Sequence, residues 1–396
     1  MSEWKEYNLD EVYDFASGLS KGAEEFGFGH GFLGFKDVFH NFFVPNELNS
    51  LVNSTEKEQQ SCSIKRGDVF LTRTSETDED LGMSCVALKD YPNATFNGFT
   101  KRLRPKGNVE ILPEYAGFYF RSPKFRATVS GMSSITTRAS LNNGMLAQLT
   151  ISVPPIEEQK AIADTLFTIH LKIRLLTEQN NLLEKITDVF YTQLINTLGN
   201  ENWEEISILD FPTLSLIKPG INNFVGEKIY LATADIQERT IVNRKNQITY
   251  NQRPSRANMQ PIRNSVWFAK MKDSPKFLLI DSSTKQIVED YILSTGFYGL
   301  KIENGLYFIW KFINSNEFSN QKSSNISGSV MEALNNDGLK GIILNIPPND
   351  LILDFESKVE PYYNKISSNN SQIQSLNKML NSLLPKLMSQ EATIEM

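Results

Sequence analysis

The sequence contains few residues of the kinds that bind metal ions or act as nucleophiles. Cysteine occurs only at Cys62 and Cys85, and histidine only at His30, His40 and His170, with no cluster at metal-ligand spacing. Both cysteines are expected to be buried thiols. There is no Gly-x-x-x-x-Gly-Lys-Ser/Thr phosphate loop. We therefore predict that the chain is not an enzyme and holds no metal ion or cofactor of its own.

Two basic segments indicate a different chemistry, the binding of phosphates. Residues 101–138 hold eight Lys and Arg against two acids, a net +6, and residues 239–276 hold nine against one, a net +8, although the whole chain carries −6. Such segments neutralise nucleic-acid phosphates and release counterions, and a solvated basic face is the alternative. The candidate DNA contacts are Lys101, Arg102, Arg104, Arg138, Arg244, Lys245, Arg253, Arg256, Arg263 and Lys270.

These segments belong to a chain that is built twice. Residues 151–198 align with residues 344–391 at a constant offset of 193, so that Val153-Pro154-Pro155 falls on Ile346-Pro347-Pro348. Leu141-Asn142-Asn143 matches Leu334-Asn335-Asn336 at the same offset. A period near half the chain length indicates a duplication rather than a solenoid. Each half is therefore expected to be one globular domain followed by one long helix.

The two long helices are predicted from a 4-3 spacing of apolar residues, which is typical of a coiled-coil seam. Each begins with a diproline, which suits the first turn of a helix. Asn180 and Asn369 fall on the seam, where a buried amide needs a partner, and are candidates for setting the register of pairing. Antiparallel pairing with internal pseudo-two-fold symmetry is expected, although parallel pairing also fits the sequence. The seam residues are Ile162, Leu166, Ile169, Ile173, Leu176, Asn180, Leu183, Val359, Tyr362, Ile366, Asn369, Ile373, Leu376 and Leu380.

Length and composition are those of a folded protein with more than one domain. The 396 residues are 40% hydrophobic and 11% aromatic. No apolar run approaches the roughly 20 residues of a membrane helix, and the N-terminus lacks signal-peptide features, which predicts a cytoplasmic protein without membrane contact. We expect an α+β fold, with two tandem mixed α/β domains at residues 1–153 and 199–346. Spacer helices at 154–198 and 347–390 and a tail at 391–396 complete the expected organisation.

Taken together, these features resemble the DNA specificity subunit of a type I restriction-modification system. The resemblance rests on Leu141-Asn142-Asn143 and on the diproline, Glu-Glu-Gln and Ile-x-x-x-Leu string of residues 151–166 ahead of a Leu-rich helix. The family's opening Trp-x-x-x-x-Leu pattern is matched by Trp4 to Leu9, and its Gly-Asp-hydrophobic strand by Gly67-Asp68-Val69. The second half departs from the pattern, with Asn349-Asp350-Leu351-Ile352 in place of the Ile-Glu-Glu-Gln string.

The resemblance implies a non-catalytic reader of double-stranded DNA. Two target recognition domains would bind the two parts of a bipartite asymmetric sequence, and the helices would set the gap between them. Implied partners are methylation subunits that use S-adenosylmethionine and a restriction subunit, a motor-nuclease that uses ATP and Mg²⁺. The chain lacks the Asp/Asn-Pro-Pro-aromatic loop of an adenine methyltransferase, because its diprolines precede Ile156 and Asn349. The alternative is a non-catalytic coiled-coil scaffold that binds RNA or acidic protein partners.

Overall fold

The computed structural model describes residues 4–75, 80–132, 139–196, 203–282, 284–326 and 332–392. The predicted DNA contact Arg138 lies outside these residues. The chain divides into two compact units, the first formed by Met1–Arg174 with Gln374–Met396 and the second by Leu175–Ile373. Within the described residues, no helix is both long enough and apolar enough to cross a membrane.

The elements of the first unit are short strands interspersed with short helices. They are β1 (Lys5–Asn8), α1 (Leu9–Val12), β2 (Tyr13–Ser17), β3 (Phe26–Leu33), α2 (Phe35–His40), β4 (Ser50–Val52), α3 (Glu56–Ser61), β5 (Val69–Thr72), β6 (Thr74–Ser75), β7 (Ser84–Val86), β8 (Thr95–Phe96), β9 (Thr100–Pro105), α4 (Pro113–Tyr119), α5 (Pro123–Met132), β10 (Ala139–Ser140), α6 (Asn143–Gln148) and β11 (Thr150–Val153).

The first unit contains two main sheets, and interior strand β5 of one of them separates two apolar cores. One sheet has the antiparallel order β2-β9-β5-β7, and the other has the order β4-β3-β8, in which β3 and β8 run parallel. Because side chains alternate along a strand, Val69 and Leu71 pack into one apolar core and Phe70 into another. Both faces of β5 are therefore covered, and all its residues are buried.

The predicted Gly-Asp turn is present immediately before β5. Gly67 has a φ of +88°, a left-handed conformation that a side chain would disfavour. The Oδ2 atom of Asp68 accepts a hydrogen bond of 2.7 Å from the backbone N–H of Lys65, which closes the turn. The turn thereby delivers Val69 into the sheet.

The second unit has its own series of elements after the long helix α7 (Ile156–Ile195). They are β12 (Glu204–Ser207), β13 (Leu214–Leu216), β14 (Lys228–Leu231), β15 (Ile236–Gln237), β16 (Thr240–Ile241), β17 (Gln247–Ile248), β18 (Ala257–Met259), β19 (Ser265–Ala269), β20 (Phe277–Ile280), α8 (Lys285–Asp290), β21 (Tyr291–Ser294), β22 (Phe297–Ile302), α9 (Leu306–Ile313), α10 (Asn316–Ser324), α11 (Asn336–Lys340), β23 (Ile343–Ile346) and α12 (Asn349–Met388).

The second unit repeats the strand topology of the first. Its antiparallel sheet has the order β13-β22-β19-β20, and its mixed sheet has the order β17-β14-β21-β18, in which β14 and β21 run parallel. Interior strand β19 again divides two cores, with Val266 and Phe268 in one and Trp267 and Ala269 in the other. In each unit the first strand pairs antiparallel with the last, β1 with β11 and β12 with β23. The predicted duplication and α+β fold are confirmed by this topology.

The starts of the two long helices are anchored by different chemistry. Gln159, which is buried, accepts a 2.9 Å hydrogen bond from the N–H of Leu112 and donates to the carbonyls of Glu110 and Pro154. Ile352 stands at the corresponding position of α12, at the offset of 193 seen in the sequence, and is buried in the apolar core of the second unit. Where α7 has the Ile-Glu-Glu-Gln sequence, α12 has Asn349-Asp350-Leu351-Ile352, so the buried polar side chain of Gln159 is replaced by the buried apolar side chain of Ile352.

The two long helices contact one another within each unit. In the first unit, Ile162 and Leu166 share a core with Leu384 and Leu387. In the second unit, Asn180 hydrogen-bonds with Asn369 and Asn370, Thr187 with Tyr363, and the ring of Tyr191 packs on Phe355. Residues later in α7 contact residues earlier in α12, so the two helices run antiparallel. All the predicted seam residues are buried or half-buried.

Candidate nucleic-acid interface

Two of the predicted DNA contacts in the first unit are arginines of strand β9 that bind other parts of the fold. Arg104 donates from Nε and Nη2 to the carboxylate of Asp68, at 2.7 and 2.6 Å, and Asp68 is fully buried. Arg102 donates to the carbonyls of Ser61 and Ser63, and its guanidinium lies 5.5 Å from the ring centroid of Phe96. Hydrogen bonding to Asp68 raises the pKa of Arg104, whereas burial lowers that of Arg102. These geometries favour a structural role for both guanidinium groups.

Two further arginines of the first basic segment also serve the interior. Arg121 donates from Nε to the carbonyl of Ser84 and from Nη2 to the carbonyls of Val38, Phe39 and Asn41. Burial lowers the pKa of Arg121 to about 10. Arg126 donates to the carbonyl of Leu81. Much of the +6 charge of residues 101–138 therefore lies against backbone carbonyls rather than facing solvent.

Lys101 has a different environment, with neutral partners only. Its Nζ donates to Ser17 Oγ at 2.9 Å and to Asn143 Oδ1 at 2.8 Å, and the residue is 8% exposed. Burial is the larger cause that lowers the pKa of Lys101, and the positive charge of Arg73 is the second. No acid forms an ion pair with Lys101 among the residues that the structure describes. Lys101 is thus a cation held beside another cation.

Arg73 is a basic residue that the sequence analysis missed. It lies between β5 and β6, and its backbone carbonyl accepts a 2.8 Å hydrogen bond from Leu141. Its Nε atom is buried and has no hydrogen-bond partner in the described part of the chain. Residues 1–100 hold eight basic residues against seventeen acids. The net charge of this part of the sequence therefore does not indicate Arg73 as a candidate. The electrostatic effect of Arg73 on Lys101 in the folded chain does.

The basic residues of the second unit are more accessible. Arg244, Lys245, Arg256 and Arg263 are exposed, and no ion pair joins any of them to an acid within the described ranges. Arg244 donates from Nε to Tyr291 Oη at 3.2 Å. These four side chains can meet phosphates without first breaking an ion pair.

Two cations of the second unit lie over aromatic rings. The guanidinium of Arg253 is 4.3 Å from the ring centroid of Tyr250, and the Nζ of Lys270 is 4.3 Å from that of Tyr298. Burial lowers the pKa of Lys270. Stacking on a ring restrains a cation without neutralising it, so that its donors remain available to an anion. The aromatic rings position Arg253 and Lys270, and the role of these two residues in DNA binding stays a prediction.

The described residues contain no group of three or more His, Cys, Asp or Glu side chains placed to hold a metal ion. Cys62 and Cys85 are both buried and free, as predicted. Burial raises the pKa of the Cys85 thiol well above its ordinary value. The exposed cations Arg244, Lys245, Arg256 and Arg263, which have no ion-pair partner among the described residues, suit the electrostatic binding of a polyanion.

The first part of the chain is similar to a known protein family. Residues 1–185 match the family described as the type I restriction modification DNA specificity domain. The predicted resemblance is confirmed over these residues. The match covers the first unit up to α7 and ends within α7, and the remainder of the second unit lies beyond it.

Two named relatives agree with this resemblance. The chain is similar to the type I restriction enzyme MjaIX specificity subunit of Methanocaldococcus jannaschii, 25% identical over 392 residues that cover 87% of this chain and 82% of the relative. It is also 23% identical to the EcoKI specificity subunit of Escherichia coli over 203 residues, which cover 50% of this chain and 43% of the relative. Both relatives are named as specificity subunits, in agreement with the predicted resemblance.

A solved structure shares the fold. The crystal structure of the type I restriction-modification S subunit from M. genitalium aligns with 100% of this chain and 97% of its own, with a TM-score of 0.58 and 13% sequence identity. At that identity the likeness establishes the fold alone.

Proposed function

We propose that this chain recognises a bipartite, asymmetric sequence in double-stranded DNA for a type I restriction-modification complex. Each unit would read one part of the target, and α7 and α12 would set the gap between the parts. The observation that carries the proposal is the repeat of one strand topology in two units, each with cations that form no ion pair with an acid in the described part of the chain. Two equivalent readers in one chain suit a target with two separate parts.

The proposed partners follow from this role. Methylation subunits that use S-adenosylmethionine would modify the DNA that the chain selects, and a restriction subunit that uses ATP and Mg²⁺ would translocate and cleave it. The chain would contribute the choice of sequence. We expect more phosphate and base contacts from the second unit than from the first. Its residues Lys245, Arg256 and Arg263 are exposed, and no acid among the described residues forms an ion pair with them.

The test is a selection from randomised duplex DNA with the purified chain, alone and with its methylation subunit, read by sequencing. Enrichment of two short motifs at one fixed separation is the expected result. A version shortened by one heptad in both α7 and α12 should enrich the same motifs at a smaller separation, since about seven residues span roughly 10 Å of helix. Salt-sensitive binding without any enriched motif would instead support the alternative function, a coiled-coil scaffold that binds RNA or acidic proteins.

A further inference from the structure

The two units contain the same arrangement of a cation, a hydrogen-bond donor and an asparagine. In the first unit, Arg73 donates its backbone N–H to the carbonyl of Phe99 at 2.9 Å and accepts from Leu141 at 2.8 Å. In the second unit, Lys270 donates to the carbonyl of Gly296 at 2.9 Å and accepts from Leu334 at 2.9 Å. Leu141 and Leu334 correspond in the sequence repeat. Arg73 and Lys270 therefore occupy equivalent positions at the end of an interior strand.

The neighbours of the two cations are equivalent as well. Leu71 is paired with Lys101 across β5 and β9, and Phe268 with Tyr298 across β19 and β22, each two residues before the cation. The Nζ of Lys101 donates to Asn143 Oδ1 at 2.8 Å, and the Oη of Tyr298 donates to Asn336 Oδ1 at 2.8 Å. Asn143 and Asn336 correspond in the sequence repeat. One hydrogen-bond geometry thus recurs with different side chains in the donor position.

Among the residues that the structure describes, no acid forms an ion pair with the cation of either copy. Arg73 has a buried Nε without a partner and lies close enough to Lys101 for its charge to lower the lysine pKa. Lys270 rests over the ring of Tyr298, and no acid pairs with it in the ranges that the structure covers. Holding such charges half-buried costs free energy that the fold itself does not recover. An external anion would recover it.

We infer that Arg73 and Lys270 form a matched pair of DNA phosphate sites, one in each unit. This inference rests on the proposed function and adds to it the residues that position each unit on the backbone of its half of the target. Arg73 would present its guanidinium to one phosphate, with Lys101 beside it, and Lys270 would present its ammonium from the face of Tyr298. A phosphate is favoured over a base edge because the cation is the equivalent residue in both units, whereas base readers should differ between two different half-targets.

The test uses the full chain and a duplex of random sequence, so that no recognised motif has to be known. Arg73→Gln and Lys270→Gln each remove one charge, and Arg66→Gln and Lys285→Gln are matched controls because Arg66 and Lys285 already pair with Glu114 and Glu289. The dissociation constant is measured against salt concentration. Each test variant should bind several-fold more weakly and lower the slope of log Kd on log salt by about one, and the double variant by about two. The controls should leave the slope unchanged.

The thermal midpoint separates a ligand site from a structural role. Arg73→Gln removes repulsion toward Lys101, so its midpoint should be equal to or above that of the parent chain. A lower midpoint together with an unchanged salt slope would overturn the inference. Tighter binding of the parent to single-stranded RNA than to duplex DNA would also overturn it. If the parent chain enriches motifs but the variants show unchanged salt slopes, the phosphate sites at Arg73 and Lys270 are refuted and the proposed function stands. If the parent chain binds no DNA, the phosphate sites and the proposed function are both refuted.

Discussion

The Nδ2 atom of Asn369 lies 2.8 Å from the Oδ1 atom of Asn180, across the contact between the two long helices. Asn369 is fully buried, and its Nδ2 also donates to Gln179 Oε1 at 2.8 Å. Asn180 in turn donates to Asn370 Oδ1 at 2.9 Å. The Oδ1 atom of Asn369 is buried and has no hydrogen-bond partner in the described part of the chain. A shift of either helix along the other would separate these amides and leave the Nδ2 atom of Asn369 without its acceptors as well.

This amide contact gives a first prediction, measured by a double-mutant cycle. Asn180→Ala and Asn369→Ala should each destabilise the chain, and the two effects should be coupled by about 1 kcal/mol, because each substitution removes the same hydrogen bond. Unfolding by denaturant supplies the free energies. Lys365→Ala, an exposed residue of the same helix, is the control and should be neutral. A coupling energy near zero would show that the two amides do not depend on each other.

A second prediction concerns Arg104, whose two hydrogen bonds satisfy the buried carboxylate of Asp68. Arg104→Ala should lower the free energy of unfolding by about 3–5 kcal/mol, because it leaves a buried charge unpaired. Asp68→Asn added to Arg104→Ala should restore part of the loss, because the neutral amide is cheaper to bury. Thermal unfolding gives the comparison. A variant that stays stable but binds DNA poorly would instead assign Arg104 to the interface.

A third prediction concerns Lys311, which is buried and pairs with Asp188 at 2.6 Å and Glu184 at 3.2 Å on α7. Lys311→Ala should destabilise the second unit by about 3 kcal/mol, because it removes both the ion pairs and the packing of the lysine stem. Lys311→Met, which retains the stem, should cost less. Lys340→Ala, an exposed cation of the same unit, is the control for the loss of charge. Equal stability of the alanine and methionine variants would assign the effect to charge alone.

A fourth prediction is a pH dependence that originates at Glu356. Its Oε1 accepts a 2.8 Å hydrogen bond from the N–H of Phe308, while burial raises the pKa of its carboxyl from 4.5 to about 7. The folded chain then holds a proton that the unfolded chain has lost, so stability falls as the pH rises from about 4.5 to 7.

The matching variant is Glu356→Gln, which cannot ionise and retains an oxygen acceptor for Phe308. Its free energy of unfolding relative to the parent should rise between pH 5 and pH 8 by at most about 3 kcal/mol, at 1.36 kcal/mol per pKa unit. Denaturant unfolding at each pH measures the difference. Glu360→Gln removes a negative charge that itself raises the pKa of Glu356, and it should move the fall in stability to lower pH. Parallel pH profiles for the parent and Glu356→Gln would show that the carboxyl titrates normally.

Periodic features of this protein could be predicted from the sequence. Helices α7 and α12, the burial of their seam residues and the turn at Gly67 follow from local rules: a 4-3 apolar repeat, a diproline start and a backbone conformation that favours glycine. The duplication is equally local, because it requires only that two stretches of one chain resemble each other. None of these features depends on which distant residues meet.

The roles of the cations could not be predicted in this way. Arg102 and Arg73 each have a buried Nε without a hydrogen-bond partner among the described residues, yet Arg102 also donates from Nη1 to the carbonyls of Ser61 and Ser63. The difference depends on Ser61 and Ser63, which are distant in sequence and reach β9 only in the folded chain. The net charge of a sequence segment shows how many cations are present, but it does not show which groups each cation contacts in the folded chain.

The sequence by itself therefore determined the repeat, the helical seam and the family, because each depends on residue order along a single segment. Tertiary structure decided which charges remain for a partner, because a cation is available only where folding brings it no acceptor. Arg104 donates to Asp68 and is satisfied, whereas no described acid forms an ion pair with Arg73, whose charge acts on Lys101. That distinction is a property of long-range contacts, and it relates Arg73, which lies outside both basic segments, to Lys270 of the second segment.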